Sequence, residues 1–285
     1  MIKDLLTSRL VGAARHDARK RGSSMNTNVV WSLSPRVPPR ITDKFSERVA
    51  KLLEKVDCRH ADSAKERDAI FRLRYQAYLR EGTILPNSSG TFSDTYDETD
   101  NVYLFGVYID GALASSIRIH VASQKHPYFP SFEVFSDVLQ PKLDAGKIII
   151  DATRFVADEA LSRSYRALPY ATVRLNWLAA GYFANGYSLA AIRSEHQAFY
   201  RRTFGLDLIC DSRPYPHLAK PICLMANDYR TVADEVHRRY PFFRSTFFER
   251  RMLFERSPSR TLLDAPPTRG DSRPFGNSEA PRLAG

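Results

Sequence analysis

Cysteine is scarce: Cys58, Cys210 and Cys223 are the three in 285 residues, and no CxxC spacing occurs. An odd number without paired spacing argues against a disulfide framework and against a thiolate zinc site, and it fits a reducing cytoplasm. Long apolar runs are also missing. No stretch reaches the roughly 18 to 20 residues that a membrane-spanning helix needs. The first residues, MIKDLLTSRLVGAARHDARKRG, have no apolar core of signal-peptide length, so export is not expected. The motifs GxGxxG, Walker A, GxSxG and HExxH are absent, and no serine or cysteine triad stands out. Dehydrogenase, kinase and hydrolase readings lose their support accordingly.

What is present is an ordinary folded composition, 43% hydrophobic and 12% aromatic. The formal charge of +10 is unevenly spread. Residues 1–40 hold eight basic and two acidic side chains and residues 251–285 hold six and four, leaving 28 against 26 between them. The central part is therefore not a nucleic-acid surface by charge. Residues 1–40, ending in SPRVPPR, read as a flexible basic tail, and residues 256–285, rich in Pro, Gly and Ser, as a disordered one. One domain over 41–255 remains.

Within it the pattern is mixed α/β. Helices are expected over 44–56, 64–80 (opened by Asp62-Ser63), 169–186 and 196–205, and one added helix over 230–254. Strands are expected over 57–62, 102–109, 112–122, 147–157 and 187–194, with two more in LDLICDS and PICLMAN. Asp110-Gly111 marks a hairpin. The stretch holding Pro127, Pro130 and Pro141 reads as a long loop, and Gly186 as the residue just past a helix end. Strand–helix–strand units beside an antiparallel hairpin imply a mixed sheet with helices on both faces.

Four clusters carry unusual chemistry. In FRLRYQAYLREG, Arg74 and Tyr78 are four apart and share a helix face. In SDTYDETDN, Asp94 and Asp97 can clamp a guanidinium, while EF-hand spacing for calcium is absent. Arg118 in IRIH and Arg154 in IIIDATRF lie inside apolar strands, where an unpaired guanidinium is costly. Each needs a carboxylate from Asp94, Asp97 or Asp151. Asp151 and Arg154 have opposite parity, so reaching one site together requires a β-bulge. In RSEHQAFYRRTFG a strand gives way to a helix at Glu195-His196, and Tyr200 one turn in is placed to donate a proton to a leaving thiolate.

Taken in order, LR-Y-x-x-Y, D-x-x-D, a strand arginine and [DE]-x-[ST]-R-F resemble the acyl-homoserine lactone synthases. Residues 57–230 look still more like the long-chain N-acyl amino acid synthases of the N-acyltyrosine synthase type, to which RSEHQAFYRRTFG and RPYP are similar in particular. The resemblance implies the GNAT acyltransferase fold, no tightly bound cofactor and no metal. It implies transfer of a long acyl group from an acyl-carrier-protein or CoA thioester to the amine of an amino acid. By this likeness Arg74, Tyr78, Asp94, Asp97, Arg118, Asp151 and Arg154 match the family's site, with Asp151 where lactone synthases usually have Glu. Where CoA-dependent relatives of the fold carry a glycine-rich loop, VADEALSRSYRALPY has none. The likeness thus favours an acidic carrier protein, met by Arg163 and Arg166.

The mechanism expected is direct attack of the amine on the thioester. Amides of strand 147–157 would stabilise the oxyanion, Glu195 or Asp151 would take the proton, and Tyr200 would act as the acid. Arg74, Arg118 or Arg154 would hold the substrate carboxylate. Two other classes fit the same residues: a lactone signal synthase using S-adenosylmethionine, and a non-catalytic module that binds an acyl carrier or a membrane surface. The aromatic, basic segment YPFFRSTFFERRMLFER motivates the second and a peripheral membrane contact.

Overall fold

The computed structural model describes residues 44–183, 186–215 and 221–256. The expected tails, 1–40 and 256–285, lie outside the described residues apart from Arg256.

Helix α1 (Lys44–Leu53) leads into strand β1 (Val56–His60). Ser63 then opens α2 (Ala64–Arg80): its hydroxyl accepts from the Glu66 amide and the Glu66 carboxylate accepts from the Ser63 amide. This reciprocal cap fixes the helix start. The inward face of α2 runs Ile70, Leu73, Arg74 and Ala77, so a cation sits on a stripe otherwise apolar. After a 3-10 turn at Thr95–Glu98 come β2 (Val102–Ile109) and β3 (Ala112–Ala122). They are joined through Asp110 (φ 50) and Gly111 (φ 80), the left-handed pair that a tight hairpin requires.

Next come α3 (Phe132–Asp144), β4 (Ile148–Ala157), α4 (Glu159–Ser164) and α5 (Leu168–Tyr182). They are followed by β5 (Gly186–Ile192), α6 (Gln197–Phe204), β6 (Asp207–Arg213), β7 (Ile222–Asp228), α7 (Tyr229–Arg239) and α8 (Phe247–Phe254). Among the described residues the strands form one sheet in the order β1-β2-β3-β4-β5-β7-β6, and only β4 and β5 run parallel.

Strand alternation assigns the two faces. Phe105, Ile117, Ile119 and Ile150 meet Trp177 and Leu178 of α5. On the other face Ile149, Leu189 and Leu224 meet Phe135, Leu139 and Leu143 of α3, and Leu104 meets Ile70 of α2. Each large aliphatic side chain so buried contributes on the order of 2 kcal/mol.

Three expectations need correction. Residues 132–144 are a helix, not a loop. Pro141 forgoes one helical hydrogen bond, but Phe135, Leu139 and Leu143, four apart, are all fully buried and hold the helix to the sheet. Gly186 does not end a helix; it opens β5, where a Cβ would come within 2.8 Å of the Ala180 Cα. The added helix is two, α7 and α8, parted at Tyr240-Pro241, where Pro241 begins a 3-10 turn.

Candidate active site

The β4–β5 ladder contains four register pairs, from Ile148↔Gly186 to Asp151↔Leu189. Beyond them the strands part. Residues Ala152–Ala157 stay with β3, apart from a bulge, while Ala190–Ile192 stay with β7. A wedge therefore opens in the middle of the sheet, and Ala152, Thr153, Arg154 and Phe155 are half-buried within it. Strand amides facing an open wedge are available to a carbonyl oxygen of a bound thioester.

One flank of the wedge is an ion network. In I-R-I-H, Ile117 and Ile119 point to α5, so Arg118 and His120 point the other way, towards α2 and the 3-10 turn. The β3–β4 register shifts between Ser116↔Val156 and Arg118↔Thr153, placing one extra residue on β4. Arg154 sits in that bulge with φ 54 and meets the turn acid Asp94 without Asp151. The acids come from the turn. Asp94 caps it by accepting from the Tyr96 amide at 3.0 Å, and Asp97 accepts from the Asp94 amide at 3.0 Å. Asp97 is fully buried. It receives Arg74 Nη1 on both oxygens, at 2.9 and 2.8 Å, and Arg118 Nη1 at 3.0 Å. Asp94 is shared between Arg118 and Arg154, the latter donating from Nε at 3.1 Å. Arg118 Nε also reaches Thr153 Oγ1 at 3.2 Å. Tyr78 and Phe92 lie beneath Arg154, their ring centres 5.8 and 5.0 Å from the guanidinium carbon.

Electrostatics follow from this shell. Burial would raise the Asp94 carboxyl, but Arg118 and then Arg154 outweigh it and bring it down to about 2. Asp97 is likewise depressed: burial opposes its charge, and Arg74 and Arg118 overcome the opposition. His120 Nε2 donates to the Tyr96 carbonyl (3.0 Å), and burial followed by the Arg118 charge drives its pKa down to about 3. It is therefore neutral at any working pH. Three guanidiniums meet two carboxylates, a surplus of one positive charge. Arg74 and Arg118 are sealed, whereas a quarter of the Arg154 side chain is exposed, so the surplus is offered at Arg154. Burial opposes the Arg154 charge, yet Tyr78 and Asp94 hold its pKa above the ordinary value.

Asp151 departs from expectation. It pairs with neither strand arginine. Its two oxygens accept from the Ser131 amide (3.0 Å) and hydroxyl (2.8 Å), and burial raises its pKa against those bonds. Ser131, ahead of α3, lay in the stretch read as loop, so nothing in the sequence pointed to it. Tyr215, from the RPYP run, joins this corner by donating to the Pro130 carbonyl at 3.4 Å. Its phenol is pushed up to about 12, first by burial, then by Asp151, with Arg154, Glu133 and Arg118 close enough to act on it. That run was noticed in the sequence but given no role.

The second flank is looser. Glu195 is exposed in the 3-10 turn Ser194–His196 that follows β5, with Arg193 at 3.3 Å. Tyr200, half-buried on α6, packs against Phe199 and Phe204, and burial pushes its phenol up to about 12. It keeps its proton at neutral pH as a donor. Complete transfer to a thiolate of ordinary pKa near 8.5 would run uphill. On α4 and its exit, Arg163 pairs with Glu159, and Arg166 is exposed. Thus Arg74, Tyr78, Asp94, Asp97, Arg118 and Arg154 form one cluster. Asp151 adjoins it through Ser131 and Tyr215, and Glu195, Tyr200, Arg163 and Arg166 lie apart.

The mixed seven-stranded sheet is of the GNAT-like acyltransferase fold. The chain belongs to the N-acyl amino acid synthase FeeM family, whose family model matches residues 69–228. Among solved structures, FeeM, an N-acyl amino acid synthase from uncultured soil microbes, shares 20% identity with a TM-score of 0.52, over 66% of this chain and 97% of that one. A CoA-dependent acyl-homoserine lactone synthase, BjaI, solved with MTA, shares 14% at a TM-score of 0.47, over 66% and 89%. An acyl-CoA N-acyltransferase from Pseudomonas aeruginosa shares 20% at a TM-score of 0.36, over 60% and 97%. No curated protein matches the sequence.

Proposed function

We propose that the protein moves a long-chain acyl group from an acyl-carrier-protein thioester to the amine of an amino acid. The observation that carries the reading is the wedge between β4 and β5 with the part-exposed Arg154 at its edge. The acyl chain enters between the strands, and the thioester carbonyl faces the β4 amides beyond Asp151. Arg154 binds the acceptor carboxylate through its guanidinium. Arg74 and Arg118, spent on Asp97 and Asp94 and shut from solvent, hold the turn in place. Of the two bases considered, Glu195 is preferred, because both Asp151 oxygens are engaged by Ser131. The neutral amine attacks, a C–N bond forms and the C–S bond breaks. The amine proton leaves by way of Glu195 and comes to rest on the released thiolate, which Tyr200 supports as a hydrogen-bond donor.

The exposed Arg163 and Arg166 and the lack of glycine after β4 support a carrier protein as donor rather than CoA. Purified protein, given acyl-carrier-protein or CoA thioesters with an amino-acid mixture, is expected to yield N-acyl amino acids by mass spectrometry, faster from the carrier. Absence of any such product, or a lactone formed only with S-adenosylmethionine, would overturn the reading.

A further inference from the structure

We propose that α8 is an interfacial anchor that seats the enzyme on an anionic lipid bilayer. This rests on residues that take no part in the proposed mechanism and is independent of the acceptor assignment. Among the described residues no helix is long and apolar enough to cross a membrane, so any lipid contact must lie on the surface.

The helix is held rigidly. Arg174 of α5 donates to Glu249 on α8 at 2.6 Å, to the Arg244 carbonyl at 2.8 Å and to the Phe242 carbonyl at 2.7 Å. At the far end Phe254 is buried, and its carbonyl accepts from Tyr103 Oη at 3.3 Å. The inward side is thereby satisfied. At about 100° per residue, the outward residues Phe247, Arg251, Phe248 and Met252 fall within about 140° of arc. Phe247, Phe248 and Met252 are 65%, 68% and 68% exposed. These are three of the most exposed large apolar side chains in the described structure, and they adjoin one another. The clamps prevent the helix from rolling them inward.

Charge selects the occupant. Arg251 lies inside the apolar arc and Arg244 just ahead of it, both exposed. The acid on the inward side, Glu249, is already taken by Arg174. Arginines rimming bulky apolar side chains suit a bilayer carrying negative headgroups, into which phenyl rings sink while guanidiniums stay at phosphate level. A soluble acidic partner would be served by the cations but not by two phenyl rings so far out of the surface.

The full chain is tested by flotation with vesicles of phosphatidylcholine alone or with phosphatidylglycerol. Wild type is expected to float with the anionic vesicles, less so as salt rises. Phe248→Ser with Met252→Ser is expected to lower the bound fraction at least tenfold, with thermal unfolding and turnover of soluble substrates unchanged. A second variant, Arg251→Glu, is expected to weaken anionic binding only. Three results overturn the proposal: no flotation of wild type, flotation that survives both variants, or sedimentation showing a dimer that the same substitutions dissolve, which would give the face to a second copy of the chain.

Discussion

The two flanks of the wedge differ in how their functional groups are held. On the β3–β4 side every charged group is locked to another element: Arg74 from α2, Arg118 from β3 and Arg154 from β4 converge on two acids of one turn. On the β5–α6 side Glu195 is exposed beside Arg193, and Tyr200 packs against the rings of Phe199 and Phe204. The difference fits the division of tasks in the proposed mechanism. There, a binding flank gains from being preorganised, whereas groups that pass protons need room to meet a substrate.

The sharpest break of this comparison is Asp97→Ala. It leaves two sealed guanidiniums without their shared acid and should cost about 3–5 kcal/mol of stability in urea unfolding; a well-folded variant would show that the rigid flank is not held by charge. Next, Arg154→Ala should fold but raise the acceptor KM by about 10²-fold with the donor KM unchanged, and Arg154→Lys should restore little of it, since an ammonium lacks the planar fork. Unaltered acceptor KM removes Arg154 from binding. Tyr200→Phe, on the loose flank, should lower kcat by about 10²-fold at constant KM in steady-state assays; Glu195→Gln should behave alike, and equal turnover in either variant deletes that role.

Acid sharpens the contrast further. His120 stays neutral in the fold down to about pH 3 while the unfolded chain takes up a proton near 6.5, so stability falls as pH drops through that window. The loss by pH 5 is on the order of 2 kcal/mol, and His120→Gln should flatten it. The same sign holds for Asp94, in a lower window. Its pairing is fully stabilising above about pH 4 and is lost only as pH falls through about 2. The smallest effect is expected at the carrier surface. Arg163→Glu with Arg166→Glu should raise the KM for a carrier-bound thioester roughly tenfold, with no change for a CoA thioester, and the defect should fade at high salt.

Much of this was legible because expensive placements leave marks. A guanidinium in I-R-I-H cannot be ignored, and a site shared by Asp151 and Arg154 would have needed a bulge; one lies at Arg154 itself, although Asp151 stays apart. Charge narrowed the partners of the arginines to Asp94, Asp97 and Asp151 without choosing among them. Other parts left no such mark. Pro141 disguised α3, whose Phe135, Leu139 and Leu143 outweigh one missing amide bond. Ser131 as the partner of Asp151 depends on how α3 lies against β4, a tertiary fact with no local pattern. The placement of Tyr215 depends likewise on β6 returning beside α3, where Arg213 bonds Asp137 and the Val134 carbonyl.

The backbone at Arg154 has a consequence for how such an enzyme can change. A left-handed conformation in a non-glycine residue stores on the order of 1 kcal/mol or more of strain, which glycine would relieve. Drift towards sturdier folding thus pulls this position towards glycine, against the ion pair with Asp94 and, on the proposed mechanism, the grip on the acceptor. A relative with glycine here would be expected to have kept the architecture and given up the reaction.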